Sequence, residues 1–306
     1  MEDIKISFEF LQRKHLPELV NLYQSIFNKK VKHSYFEIKY GLHLPDQKQM
    51  SVVGIHEGKV IGFFGAIPHE FLLEGRSYSM LFTCDYFLLE SFRGKGVFDR
   101  IYRFVKEQAI EQNYDYFYTF DSAQTHKFGQ KMGWSKAPSF VGMDWMVIPQ
   151  TVKSVFERTL GASWSKNRLR KLLAPFETEL TVDQLPETSM RFDSNFLEMK
   201  QFTDHYFVEL HGCKVWLKHD YRLTIGFIDM MDDGDLELML SQLKRMARKS
   251  GIHQIVMHLR PNDPFLDQIK KHGDAFEGYN ASYLPLKKNL PEFERFTTHF
   301  IQGDMF

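Results

Sequence analysis

The sequence predicts a mixed α/β (α+β) sheet protein with helices on both faces, built in two halves. Three observations predict this. Hairpin signals come early, at Glu57-Gly58 and Glu74-Gly75. A strand then passes through the glycine turn Arg93-Gly94-Lys95-Gly96 straight into a helix. The second half repeats the order strand, strand, strand, helix, strand, helix, strand without repeating the residues. At 306 residues the chain is long enough for one large or two medium domains.

Each element has its own signal. Ile4, Ile6, Phe8 and Phe10 alternate with polar residues, the period of a first strand. Pro17, Leu19, Leu22, Tyr23, Ile26 and Phe27 recur at helical spacing, and a short helix is expected from His33 to Tyr40. Ser51–His56 and Lys59–Ile67 form the first hairpin, and Met80–Leu89 follows as a strand. Val97, Ile101, Val105 and Ala109 stack on one side of the next helix. Tyr114–Phe120 reads as a strand, and Ser122–Met132 as a helix ended by Gly133. Phe140–Ile148 is then expected to close the first sheet before Pro149.

The stretch from Gln150 to Phe202 reads as a connection punctuated by Pro175 and Pro186, and its basic run Ser165–Lys171 as a solvated helix face. Beyond it, strands are expected over Phe207–His211, Lys214–His219, Leu223–Asp229, Ile252–Leu259 and Tyr279–Leu286. Helices are expected over Leu236–Lys249 and Pro264–His272. The expected domains are therefore 1–149 and 150–306, with the boundary between 150 and 205.

Composition narrows the class. Lys plus Arg and Asp plus Glu both number 39, so the net charge is zero. That argues against a mainly electrostatic nucleic-acid binder, and no nucleic-acid partner is expected. Cys84 and Cys213 are too few for a disulfide framework, which suits a reducing compartment. The opening MEDIKISFEF has no basic, then apolar, secretory pattern, and the apolar run Val60–Pro68 is too short for a bilayer. A cytoplasmic protein with no membrane partner is expected.

The segment that carries chemistry is Leu88–Phe98. Glycines without Cβ let backbone N–H groups converge on an anion, the helix start adds partial positive charge, and Arg93 and Lys95 add full charge. The pattern suits a pyrophosphate. It is neither a P-loop nor a dinucleotide fingerprint, because GxxxxGK[ST] and GxGxxG are both absent.

This segment resembles the acyl-CoA signature of the GNAT N-acetyltransferases, [QR]-x-x-G-x-[GA], set between a strand and a long helix. Arg93-Gly94-Lys95-Gly96-Val97 matches the first five positions, and Phe98 departs from the last. The element order from Met1 to Pro149 follows the family's. The resemblance implies the GNAT acyl-CoA N-acyltransferase fold, with acetyl-CoA as acyl donor. The N–H groups of Gly94, Lys95, Gly96, Val97 and Phe98 would hold the pyrophosphate. The Leu88 backbone would pair with pantetheine between splayed fourth and fifth strands, and Ser122 would hydrogen-bond it. A small-molecule amine would attack the thioester directly, with no acyl-enzyme.

The acid and base are less defined. At the family's usual tyrosine acid, counting back from Gly133-Trp134, this chain has Gly129. Tyr86, Tyr118 or water are the substitutes. For the base, Asp85 is the carboxylate within the fourth strand, and strand alternation sets it opposite Cys84 and Tyr86. Asp121 and His126 flank the start of the following helix, and a histidine there suits a base near neutral pH. Metal chemistry is not expected, since HExxH and CxxC are absent.

The second half resembles the degenerate module of tandem-GNAT proteins. Before its long helix it reads Met230-Met231-Asp232-Asp233-Gly234-Asp235, whose charge repels a pyrophosphate. Its expected role is to cover the first sheet, shape the acceptor cleft or form a homodimer. Trp164, Trp216, Tyr221 and Arg222 are candidates for that cleft or for core packing. The expected function is acetyl transfer to an amino sugar or amino-acid derivative. A non-catalytic CoA-binding scaffold, and an aminoacyl transferase using charged transfer RNA, are the alternatives.

Overall fold

Tight turns set the first sheet. Glu57-Gly58 (φ 49° and 76°) and Glu74-Gly75 (53° and 76°) both have two left-handed central residues. That turn matches the right-handed twist of the strands it joins. The computed structural model describes residues 5–121, 123–154, 162–231 and 234–303. Its strands in chain order are β1 (Ser7–Phe10), β2 (Val52–His56), β3 (Lys59–Leu73), β4 (Arg76–Leu88), β5 (Tyr116–Asp121), β6 (Ser135–Ala137) and β7 (Val141–Met146). They continue with β8 (His205–Leu210), β9 (Cys213–His219), β10 (Leu223–Met230), β11 (Gln254–Leu259), β12 (Asp274–Glu277) and β13 (Asn280–Pro285). The helices are α1 (Leu16–Phe27), α2 (His33–Lys39), α3 (Val97–Glu111), α4 (Ala123–Lys131), α5 (Ala162–Leu173), α6 (Ser194–Lys200), α7 (Leu236–Lys249) and α8 (Leu266–Ile269).

Two sheets result, with orders β1-β2-β3-β4-β5-β13-β6 and β12-β7-β11-β10-β9-β8. Each holds one parallel pair, β4 with β5 and β10 with β11, beside antiparallel neighbours. Each sheet also takes a strand from the other half. β13 pairs along β5 from Asn280↔Asp121 to Pro285↔Tyr116, while β7 inserts between β11 and β12. The expectation that Phe140–Ile148 closes the first sheet is thus corrected: the strand forms, but in the second sheet. Alternation identifies a strand and its faces, whereas its pairing edge is a non-local choice.

The two exchanged chains cross at one point. Phe140 N–H donates to the Tyr279 carbonyl at 2.9 Å, and Gly278 N–H donates to the Phe140 carbonyl at 3.0 Å. A Cβ on Gly278 would sit 2.6 Å from that carbonyl oxygen, so only glycine lets the backbones approach this closely.

Three apolar cores follow. Val97, Ile101, Val105 and Ala109 of α3 are each no more than 1% exposed, as the helical spacing predicts, and cover one face of the first sheet. α7 buries Met239, Leu240 and Leu243 on the second. The third core is shared, joining Phe63, Phe71 and Phe82 to Phe207, Trp216 and Phe227. Trp216 is therefore a packing residue, while Tyr221 is more than half exposed. The helix expected over Pro264–His272 shrinks to α8, because the Asp263 carboxylate caps a turn at Phe265 N–H. The short strands β6 and β12 carry no alternation long enough to predict them.

Because the crossing ties both sheets together, Gly278→Val is expected to destabilise the whole chain by about 1–3 kcal/mol, the usual cost of overpacking. Denaturant unfolding followed by near- and far-UV circular dichroism checks this. One shifted transition is expected, and loss of structure in one half alone would contradict it.

Candidate active site

The pairing of β3 with β4 slips by one residue between Phe64↔Tyr86 and Gly65↔Cys84, leaving Asp85 as a bulge with φ 50°. A bulge inverts the side-chain alternation beyond it. Met80, Phe82 and Cys84 face the shared core, whereas Tyr86 and Leu88 face the α3 side. Strict alternation placed Cys84 and Tyr86 together; the bulge separates them. β4 and β5 are paired only from Met80↔Tyr116 to Phe82↔Tyr118, although both strands run further. Beyond Phe82 and Tyr118 they splay apart.

Asp85 does not stand alone. Its Oδ2 accepts from Lys39 Nζ at 2.6 Å and from the Tyr40 hydroxyl at 2.7 Å. Lys39 is only 2% exposed, and its ammonium lies over the rings of Tyr35, Tyr40 and Phe202. The pair anchors α2 to the bulge. Tyr40 also reaches Cys84 Sγ at 3.6 Å.

Past the splay, the Arg93–Gly96 turn leads into α3. Gly94 and Gly96 hold φ 71° and 70°, and a Cβ on either would meet nothing within 4 Å. Glycine is needed there for backbone conformation, not space. The Arg93 N–H donates to the Glu90 carbonyl and that of Arg100 to Gly96; between them, those of Gly94 to Phe98 donate to no backbone carbonyl among the described residues. Arg93 Nε donates to the Leu88 carbonyl at 3.2 Å, tying the turn to the end of β4. The Lys95 ammonium lies over Phe92, and both charged residues are exposed. Val97 is buried beneath the helix. Phe98, which departs from the small residue usual there, packs its ring 6.2 Å from Phe64 and 6.0 Å from Tyr86.

The α3 side of the splay carries a polar group. Burial pushes the Tyr86 phenol well above its ordinary pKa; the Thr83 and Thr119 hydroxyls oppose this, and the Asp121 charge adds to it. Asp121 ends β5, one residue beyond the strand its pattern predicts, and is 4% exposed. Burial also raises its pKa. Its Oδ2 has no hydrogen-bond partner among the described residues. His126 Nδ1 lies 3.0 Å from Ser282 Oγ and 3.7 Å from Asp121 Oδ2, while its Nε2 faces Gln130 at 3.2 Å. Serine and aspartate both approach the same ring nitrogen, so this is no nucleophile relay. Ser122 lies outside the described residues.

The structure therefore brings Tyr86 and Asp121 together and places Asp85 on the opposite face. Tyr118 is fully buried, its hydroxyl 2.5 Å from His69 Nδ1, and takes no part in the splay. The residues that sequence reasoning missed are Lys39 and Thr119. Neither belongs to a motif, and each is placed by a pairing between distant segments.

The second half keeps a related geometry. β10 bulges at Gly226, and its pairing with β11 stops at Ile225↔Met257. A cavity of about 530 Å³ opens there, lined by Phe227, Ile228, Leu259 and Arg260 among others. No arginine-glycine turn precedes α7; its N-cap is Asp235, whose carboxylate accepts from Leu238 N–H.

Comparison with known proteins agrees with this geometry. Residues 16–134 match the acetyltransferase (GNAT) family. The first half has the fold of a GNAT domain. The chain covers 94% of its own length and 100% of a tandem GNAT protein from the clavulanic acid biosynthesis pathway, at TM-score 0.56 and 10% identity. A GCN5-related N-acetyltransferase from Kribbella flavida matches 92% of this chain and 72% of its own, at TM-score 0.56 and 11% identity. A probable N-acyltransferase from Enterococcus faecalis, otherwise of unknown function, matches 92% and 73%, at TM-score 0.58 and 9% identity. These likenesses show a shared fold, that of a two-module GNAT protein. No curated protein matches in sequence. Among the described residues no helix is long and apolar enough to cross a membrane.

The ion pair at the bulge can be weighed. Lys39→Met strands the Asp85 carboxylate and is expected to cost about 3 kcal/mol. Chemical denaturation checks this, with Lys39→Met/Asp85→Asn expected to recover part of the loss. A cost under about 0.5 kcal/mol would mean that the pair behaves like an exposed one.

Proposed function

We propose that this protein is an acetyl-CoA-dependent N-acetyltransferase that acts on the primary amine of a small molecule. The observation that carries the reading is the alignment of two features on one strand. β4 bulges and splays from β5, and it then runs into a glycine turn whose outward N–H groups open α3. A linear anion with an apolar arm fits both at once. Acetyl-CoA, when bound, supplies the activated acyl thioester.

The chain's own residues would then act as follows. Backbone N–H groups from Gly94 to Phe98, with Arg93 and Lys95, hold the pyrophosphate, where the helix dipole favours negative charge. The β4 backbone near the bulge and Leu88 line the arm, and a free N–H there polarises the carbonyl. Asp85, fixed by Lys39 and Tyr40, holds the bulge in register. Tyr86 keeps its proton across the physiological range and is the donor toward the departing sulfur. Asp121, beside His126, is the carboxylate placed to take a proton from the amine. The N–C bond forms as the C–S bond breaks. An ammonium acceptor loses two protons, one ending on the thiol and one in solvent.

A second reading, a CoA-binding scaffold without turnover, is favoured by Gly129 at the position of the usual tyrosine acid. Turnover of the thioester with a panel of amines separates the two.

Three outcomes test the proposal. Acetyl-CoA at about 100 times its Kd should add about 2.7 kcal/mol to stability, read as a rise in Tm, and Gly94→Val/Gly96→Val should erase the rise. If no CoA species at millimolar concentration shifts Tm, the turn is only a turn. Asp121→Asn should lower kcat by about 10²–10⁴ while acetyl-CoA still binds. Because the raised Asp121 pKa must be passed before the base is free, kcat should rise with pH through a value above the ordinary 3.8. This limb should vanish in Asp121→Asn; an unchanged profile would remove Asp121 from the base role.

A further inference from the structure

The crossing of the exchanged strands encloses a cavity of about 280 Å³ at the C-terminal end of β5. Residues of both halves line it: Asp121, Arg222, His258, Phe276, Glu277 and Tyr279, with Gly278 and Asn280 between them. Two of its groups are buried polar side chains that keep atoms with no hydrogen bond among the described residues. Asp121 is 4% exposed and its Oδ2 is unpartnered among the described residues. His258 is 2% exposed, and neither ring nitrogen has a partner there. A native fold seldom leaves such groups unmatched without a functional reason.

The charges have a pattern. Asp121 and Glu277 are acidic, and Arg222 is basic. Burial and the Arg222 charge hold His258 neutral, with a pKa of about 3, so the ring keeps one N–H donor and one acceptor. Its ring packs 4.4 Å from Phe300 and 5.0 Å from Tyr279, which fixes its orientation. Phe276 keeps 39% of its surface exposed, leaving an apolar wall.

We infer that this cavity is the acceptor pocket and that it selects a free α-amino acid with an apolar side chain. The ammonium lies toward Asp121 and Glu277, the carboxylate accepts from Arg222 and His258, and the side chain lies on Phe276. The inference rests on the acetyltransferase reading above, since Asp121 lines this pocket and also influences Tyr86 in the splay. Arg222 supplies the term that tells a carboxylate from its amide, because a buried or half-buried guanidinium rewards a bidentate anion and a neutral amide cannot replace it. A site built this way rejects the analogue that lacks the group it binds.

The test uses the full chain with acetyl-CoA and three amines: phenylalanine, phenylalaninamide and phenethylamine. Phenylalanine should have a kcat/KM at least about tenfold above either analogue. Arg222→Met should bring the ratio of phenylalanine to its amide close to one, and Arg222→Lys should restore part of it. Circular dichroism and the acetyl-CoA shift in Tm confirm that both variants are folded. Equal or better turnover of the amide or of phenethylamine by the natural protein would overturn the inference. If no amine is turned over, calorimetry with saturating CoA decides: phenylalanine binding weakened tenfold by Arg222→Met supports the pocket, and no phenylalanine binding overturns it. Phenylalanine binding without any acetyl-CoA effect would instead sink the acetyltransferase reading and leave the pocket standing.

Discussion

The contact on which the rest depends is the pair of hydrogen bonds between Phe140 and the Gly278-Tyr279 backbone. It is where the chain has left the first sheet for β7 and where it returns to that sheet as β13. Without that crossing, β5 would have a bare edge and β11 would lose the neighbour that links it to β12. The crossing also has a chemical consequence. It carries Ser282 to His126, Asn280 to Asp121, and Tyr279 to His258. The polar groups at the end of the first splay are therefore completed by residues some 160 positions away in sequence, on a strand that backbone pairing brings to β5.

Two halves with one topology have diverged at the helix that follows their splayed strand. In the first, Gly94 and Gly96 are left-handed, the N–H groups from Gly94 to Phe98 have no backbone acceptor among the described residues, and Arg93 and Lys95 add charge. In the second, the corresponding helix begins at an aspartate that satisfies its own first turn. The dipole of α7 is thus matched internally, whereas α3 begins beside two exposed cationic side chains and has no side-chain cap. Both bulges survive, at Asp85 and Gly226, because each sets the parity of the residues that line its cleft. A bulge is a property of the fold; the glycine turn is a property of the sequence laid on it.

Much of this was legible before the structure. Helix α3 and helix α7 follow directly from apolar residues at helical spacing, and the hairpins from glycine pairs between alternating runs. The glycine turn leading into α3 was legible too, because its signal is local. What was not legible depends on pairing at long range. The alternation around Asp85 could not announce a one-residue insertion, so Cys84 and Tyr86 fell on the same face. Lys39 reads as an ordinary lysine at a helix end and only the fold makes it the partner of Asp85. Phe140–Ile148 is a good strand whose sheet is decided by a glycine near the other end of the chain.

The arrangement of buried charge shows where stability has been given up. On the shared-core side, Asp85 is matched by Lys39 and Tyr40, the condition under which a buried carboxylate is tolerated. On the α3 side, Asp121 is more deeply buried; the Ser282, His126 and Thr125 side chains only partly offset that burial, and its Oδ2 has no hydrogen bond among the described residues. An unmatched buried carboxylate oxygen costs about 1–3 kcal/mol. The sign of the pKa shift agrees: burial raises Asp121, which means that the fold favours its protonated form and loses stability as pH rises through that pKa. The fold thus gives its two carboxylates different settings: Asp85 holds the bulge beside an ammonium, and Asp121 carries the cost of burial at the mouth of a cleft lined by both halves.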